Sequence, residues 1–256
     1  MTAAPLTLDV AGTPAIPFSR MVAVELRKMV DTRAGRWLLI VIAALTLLVE
    51  IIFFATSHPS DRTFVNFMTA TGTPQGLLLP VLGIMLVTQE WGQSTALTTF
   101  ATIPDRAAVM WAKVVATVLL AIAFLVAAVA IASLLTALGG YAQAWQGVGA
   151  DDVAKFALLQ LSGVVQGLGF AMVWLNTAGA IVTYFVAPQV FTVILTAIHG
   201  LARVQPWIDI NNAQSPLSSG DHMAGSDWAH LLTASLLWIV LPFVVGLWRV
   251  LKVELK

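Results

Sequence analysis

Trp37–Ala55 reads WLLIVIAALTLLVEIIFFA, and this stretch decides the fold. It is close to the roughly 20 apolar residues a helix needs to cross hydrocarbon, and its apolar side chains lie all round the helix instead of along one stripe. Working outward, five further runs have the same character: Pro74–Gln89, broken by Pro80 and Gly83; Ala107–Leu138, long enough to extend into the cytosol; Val153–Trp174; Thr177–Ile198, separated from the run before it only by Leu175 and Asn176; and Ala229–Val250. Strands of a membrane barrel would alternate in polarity, and these runs do not. The whole chain agrees: 256 residues are 59% hydrophobic and 10% charged, where soluble chains average about 25% charged. The expectation is an all-α integral membrane protein with six transmembrane helices.

Lysine and arginine orient the spans. With the N-terminus in the cytosol, Arg20, Arg27, Lys28, Arg33, Arg36, Arg106, Lys113, Arg249, Lys252 and Lys256 fall inside, and Arg62, Lys155 and Arg203 outside. Both termini are therefore expected to be cytoplasmic. Trp37, Trp91, Trp111, Trp174 and Trp248 then mark the inner interface, and Trp145, Trp207 and Trp228 the outer. Residues 1–17, rich in Pro, Ala and Thr, read as a mobile cytoplasmic tail, and 18–256 as one transmembrane domain. No basic region followed by an apolar one opens the chain, so the first span is expected to serve as the insertion signal.

Phe18–Val30, FSRMVAVELRKMV, sets Met21, Val22 and Met29 against Arg20, Glu25, Arg27 and Lys28. It predicts an amphipathic helix on the inner leaflet, in contact with membrane lipid, with Ser19 as N-cap. Residues 56–72 and 139–152 read as polar loops. Residues 199–228 form too long a connection to lack structure, and short interfacial or re-entrant helices are expected there.

Chemistry is sparse. No phosphate-binding G-x-x-x-x-G-K-[ST] loop, no H-E-x-x-H pair and no G-x-S-x-G elbow occurs. The outer residues His199, Asp221, His222, Asp227 and His230 match no metal-ligand spacing. Neither a catalytic nor a metal site is expected, and no cofactor in this chain. Zero formal net charge and the lack of a long basic run argue against nucleic acid. Glu50 is the one acid well inside a span, where a charge costs at least about 2.5–3.5 kcal/mol. It reads either as a proton or substrate site or as a buried hydrogen-bonding group near the outer end. Gln160, Gln166, Asn176 and Gln189 line a pathway or bridge helices, and Gly163, Gly167, Gly169 and Gly179 permit close packing.

The most informative stretch is Gln89–Lys113, QEWGQSTALTTFATIPDRAAVMWAK. A span ends at Gln89-Glu90, Leu97 and Phe100 give the following segment an apolar side, and Thr95, Thr98 and Thr99 give it a polar one. Then Pro104-Asp105-Arg106 opens a new helix. A short helix parallel to the membrane is expected, a knob able to seat on a partner and move both neighbouring spans.

Four features together carry a family resemblance: the amphipathic helix with Glu25, Arg27 and Lys28; Glu90 and Gly92 after the second span; the run Ala101-Thr102-Ile103-Pro104-Asp105-Arg106 with Lys113 beyond it; and the six-span layout. The chain resembles the permease subunits of the type-two family of ATP-binding-cassette exporters. The resemblance implies a separate ATPase subunit that binds ATP and Mg, and a second permease copy or paralogue. It also implies a coupling helix near Gly92–Ile103, re-entrant helices between spans five and six, and a pathway lined by spans one, two and five. Richness in Ala and Val and the lack of an organelle-targeting pattern lead to the expectation of a bacterial plasma membrane. Glu90, Trp91, Gly92, Thr98, Thr99, Pro104 and Arg106 would couple to the ATPase, with Glu25, Arg27 and Lys28 as a second contact. Charge reversal at Glu90 or Arg106 is then expected to break that association and leave the permease folded. Glu50 and Gln189 remain as intramembrane polar candidates. The competing readings are an ion-coupled secondary transporter with Glu50 as its proton site, and a non-transporting scaffold or immunity subunit.

Overall fold

In the computed structural model, six helices among the described residues are long and apolar enough to cross a membrane. The structure describes residues 16–93, 95–103, 105–139, 141–146, 148–218 and 223–253. Residues 1–15, Pro104, Asp221, His222 and Lys256 lie outside the described residues. In chain order the helices are α1 (Phe18–Asp31), α2 (Arg33–Thr56), α3 (Phe64–Gly92), α4 (Ala96–Thr102), α5 (Arg106–Gly139), α6 (Ala150–Trp174), α7 (Thr177–Ala197), α8 (Gln205–Ile208), α9 (Ile210–Ser218), α10 (Gly225–Ser235) and α11 (Leu241–Lys252). The spans are α2, α3, α5, α6, α7 and the continuous rod formed by α10 and α11. All regular structure among the described residues is helical, and the chain is a multi-pass membrane protein. The helix ends near α1, α4 and the end of α11 carry most of the arginine and lysine, and are called here the basic end; the opposite ends are the far end.

The second span is longer than its apolar run. α3 begins at Phe64, ten residues before Pro74, so most of the segment read as a polar loop over 56–72 is helix. Two things conceal this in the sequence. Thr69 and Thr71 donate their hydroxyls to the carbonyls of Val65 and Phe67, four residues back, so they place no unmet polar group in the bundle. Phe64, Phe67 and Met68 meanwhile pack with Ala128, Ala132 and Phe156 in a buried cluster. Pro74 and Pro80 do not break the helix, because neighbouring helices hold its backbone in place.

The two residues that separate the fourth and fifth runs, Leu175 and Asn176, make a sharp boundary. Leu175 adopts a left-handed backbone (φ 51°), which stops α6, and the Asn176 side chain accepts a 2.9 Å hydrogen bond from the Gly179 amide to start α7. In the last span a π-helical turn, Leu236–Val240, sits just ahead of Pro242, whose missing N–H and ring already forbid ordinary helix bonding there. Ser19 does not cap α1: the helix starts at Phe18 after Pro17 and has no side-chain cap bond.

The core lies on α3 and α6, each 56% buried over its span window, against 17% for α2 and α7. α6 meets α11 backbone to backbone, and a Cβ on Gly246 would fall 2.9 Å from the Gly169 carbonyl oxygen. Small residues are what allow such an approach where no hydrophobic drive separates helix from lipid. Among the described residues the connection from α7 to α10 holds a 3-10 turn (His199–Leu201) followed by α8 and α9, short helices as expected there. Ile210 and Ala213 of α9 pack against Ala234 and Ile239.

Candidate functional site

α1 is amphipathic in sequence and uses its apolar stripe to dock on the bundle: Val22 and Met29 are buried with Val109, Met110 and Ala112 of α5. Glu25 lies on the same stripe, so docking takes its carboxylate out of water. It is met by Lys113 of one span and by Lys28 of α1 itself, and both lysines reach on to Glu90 of a second span. Lys113 of α5 donates to Glu25 Oε2 at 2.7 Å and to Glu90 Oε1 of α3 at 3.0 Å, and also to the Leu86 carbonyl at 3.2 Å. Lys28 donates to Glu25 Oε1 at 2.6 Å and to the same Glu90 Oε1 at 2.7 Å. Lys113 is fully buried, and Glu25 and Glu90 are 4% and 5% exposed.

Two cations and two carboxylates thus form one neutral cluster across three helices. Desolvation of each charge is costly, and the cluster tolerates it because each ammonium lies between two carboxylates. Burial works to lower the Lys28 pKa, and the hydrogen bond and charge of Glu25, then those of Glu90, outweigh it and hold it above the usual lysine value. Glu90 Oε2 has no hydrogen-bond partner among the described residues. The cluster holds no free nucleophile; what it supplies is a rigid joint.

α4 is attached beside this joint. The Glu90 carbonyl accepts from the Thr95 amide at 2.9 Å, Phe100 is buried, and Trp91 packs on Phe100 with ring centroids 6.2 Å apart. The Arg106 guanidinium sits 5.2 Å from the Phe100 ring centre and donates to the carbonyls of Val250 (3.3 Å) and Val253 (2.8 Å) at the end of α11. A cation at a helix C-terminus satisfies carbonyls the helix leaves open. Arg106 therefore ties α4, α5 and α11 together. A groove of about 410 Å³ runs between α1 and α4, lined by Arg20, Met21, Lys28, Thr99 and Ile103 among others.

The residues named from the sequence divide accordingly. Glu25, Lys28 and Glu90 converge and Arg106 lies nearby, but each is engaged within the chain, so charge reversal at Glu90 or Arg106 attacks the bundle itself and is no clean probe of a partner. Arg27, Gly92, Leu97 and Thr98 are exposed, and Trp91 and Thr99 are half-buried. Leu97 faces away from the bundle while Phe100 faces into it. Pro104 lies outside the described residues.

The intramembrane candidates lie elsewhere. Glu50 of α2 is 1% exposed and lies against the Thr71 hydroxyl, the buried-bond alternative read from the sequence, with that hydroxyl's one proton shared between Glu50 and the Phe67 carbonyl; Glu50 Oε2 has no partner among the described residues. Gln189 is exposed at the edge of a cavity between α3, α6, α7 and α9. Two contributions escaped sequence reading. The sequence marks Lys113 only as the lysine beyond the Pro104-Asp105-Arg106 run, and its fall on the α5 face opposite Glu25 and Glu90 is what the sequence does not show. Asp209, fully buried, accepts from the Thr192 hydroxyl (2.8 Å) and the Asn211 amide (3.0 Å) and so fixes α9 to α7; an Asp directly before a helix-forming run was the available signal. Compared with protein-family models the chain matches none, and it matches no curated protein.

Proposed function

We propose that the chain is the permease subunit of an ATP-binding-cassette exporter of the type-two family, working with a second permease copy and driven by a separate ATPase that binds ATP and Mg. The observation that carries this reading is the joint at the basic end. The amphipathic helix α1 and the short α4, the two elements a cytoplasmic partner would touch in this reading, are both fastened to the ends of spans: α1 through Glu25, Lys28, Glu90 and Lys113, and α4 through Phe100 and Arg106. A partner seated on α4 would move α3, α5 and α11 together instead of bending a loop. On this reading α1 is the interfacial helix, α4 the coupling helix, α8 and α9 the re-entrant pair, and the basic end is cytoplasmic in a bacterial plasma membrane.

Substitutions on the outward face of α4 test it. Leu97→Asp and Ala101→Asp alter exposed positions and leave the joint intact. Gentle solubilisation and affinity capture of the wild type is expected to bring down a stoichiometric ATPase with vanadate-sensitive ATP hydrolysis. Both variants are expected to lose it and still elute as folded protein. Capture without any ATPase, or equal capture by all three, rejects the reading.

One observation favours a carrier as the second reading. Glu50 is a buried carboxylate with one oxygen that has no partner among the described residues, one helical turn along α2 from the buried hydroxyl of Thr46, which likewise has none among them, an arrangement that a proton could complete. Proton uptake coupled to transport and abolished in Glu50→Gln would favour that reading over the first.

A further inference from the structure

At the basic end α3 and α7 touch, with the hydroxyls of Thr88 and Thr177 2.7 Å apart. Towards the far end a cavity of about 420 Å³ opens between the same two helices, within the range of sites that hold drug-sized ligands. α6 forms its floor and α9 closes its top, held to α6 by the Gln214 amide donating to the Ser162 hydroxyl at 3.0 Å. The side remains open: Thr69, Thr73 and Leu77, spaced one turn apart along α3, and Gln189 of α7 line the cavity and are exposed.

The walls are mixed in a particular way. Met68, Phe156, Leu159 and Phe185 are apolar. Set among them are the amides of Gln160 and Gln166, 6% and 5% exposed, whose Nε2 groups have no hydrogen-bond partner among the described residues. Buried donors are ordinarily paired, and leaving one unmet costs about 1–3 kcal/mol. Two in one cavity call for an acceptor that the described residues do not supply. Gly76 keeps the space beside them clear, since a Cβ there would lie 3.0 Å from Gln160 Oε1. The two charged side chains that line the cavity, Lys155 and Asp152, are opposite in sign, and Lys155 is already paired with Asp151 at 2.7 Å.

We propose that this cleft binds an uncharged amphiphile, its carbonyl or hydroxyl oxygens accepting from Gln160 and Gln166 and its hydrocarbon chain leaving between α3 and α7 through the Thr69–Thr73–Leu77 opening. Paired amide donors without a surplus cation select oxygen acceptors and gain little from a negative headgroup. The apolar wall and sideways mouth suit a molecule that arrives through lipid. The site stands whether or not an ATPase drives the chain.

The test uses the whole protein in phosphatidylcholine nanodiscs with two photoreactive probes of equal chain length, a monoacylglycerol and a fatty-acid carboxylate. The monoacylglycerol is expected to crosslink within residues 69–77, 156–166 and 184–189. The double variant Gln160→Leu/Gln166→Leu is expected to lower that labelling about tenfold, two neutral hydrogen bonds being lost, while its melting temperature holds or rises because two unmet donors are gone. Thr73→Trp, which plugs the mouth from an exposed position, should also remove the labelling and keeps the test valid if the double variant fails to fold. Crosslinks spread evenly over the lipid-facing helices, equal labelling by the carboxylate probe, or labelling unchanged in a folded variant would each overturn the proposal.

Discussion

At the basic end, four charged side chains from three helices close on one another at 2.6–3.0 Å; at the far end, two glutamines line a cavity of about 420 Å³ with Nε2 donors that have no partner among the described residues. Both arrangements place polar groups at membrane or near-membrane depth, where an unmet group is expensive. The first resolves that cost within the protein, so it fixes helices relative to one another. The second leaves it unresolved, so it is completed from outside. One end is built to hold its shape and the other to receive something.

The largest effect should come from removing the centre of the joint. Lys113→Met leaves Glu25 and Glu90 sharing Lys28 alone and is expected to destabilise the protein by about 3–5 kcal/mol, read as the steepest fall in melting temperature of any single substitution here. Adding Glu25→Gln to it should recover part of the loss, since the two positions are directly bonded. Simple additivity would show that the cluster does not act as a unit.

A smaller loss is expected at the far end. Asp209→Ala frees the start of α9, a capping loss of about 0.5–2 kcal/mol, and should raise amide exchange in 205–218 while leaving α1 protected. If α1 loosens as well, the two ends are not separate in the way described.

Raising pH sharpens the contrast further. The Lys28 pKa is raised in the folded protein, so its contribution is fully present below the ordinary lysine value of 10.5 and fades as pH rises through the folded value. Alkaline titration should release α1 before it disturbs α9. Lys28→Met should abolish that alkaline step, and its persistence would place the titrating group elsewhere.

The smallest effect is expected at Glu50. In Glu50→Leu the Thr71 hydroxyl keeps its bond to the Phe67 carbonyl, and an unpaired carboxylate oxygen disappears, so stability should stay within about 1 kcal/mol. A large loss would mean that Glu50 holds α2 to α3 in a way its single bond does not convey.

The spans were legible because lipid demands long apolar runs, and each run read from Trp37–Ala55 outward falls on a span, Thr177–Ile198 overrunning its helix by one residue. Legibility failed where polarity was hidden by local bonding: Thr69 and Thr71 look like loop residues until their hydroxyls are seen bonded to their own helix. At the joint the sequence marked Glu25, Lys28 and Glu90 as notable residues. It did not show that they face one another, because the separations from Lys113, 23 residues to Glu90 and 88 to Glu25, follow no local period. The cavity was legible only as scattered glutamines, since nothing local to Gln160, Gln166 or Gln189 says that α3 and α7 part above Thr88 and Thr177.

The most direct measurement takes advantage of a chain without cysteine. Spin labels at Thr73→Cys and Gln189→Cys, on opposite lips of the cleft, report its width by pulsed electron resonance in the complex captured with its ATPase. If the joint carries partner movement to the far end, trapping with ATP and vanadate should shift the distance distribution in the otherwise native chain and leave it unshifted in Lys113→Met. An identical distribution with and without trapped nucleotide, in a complex that hydrolyses ATP, would contradict the coupling of the two ends.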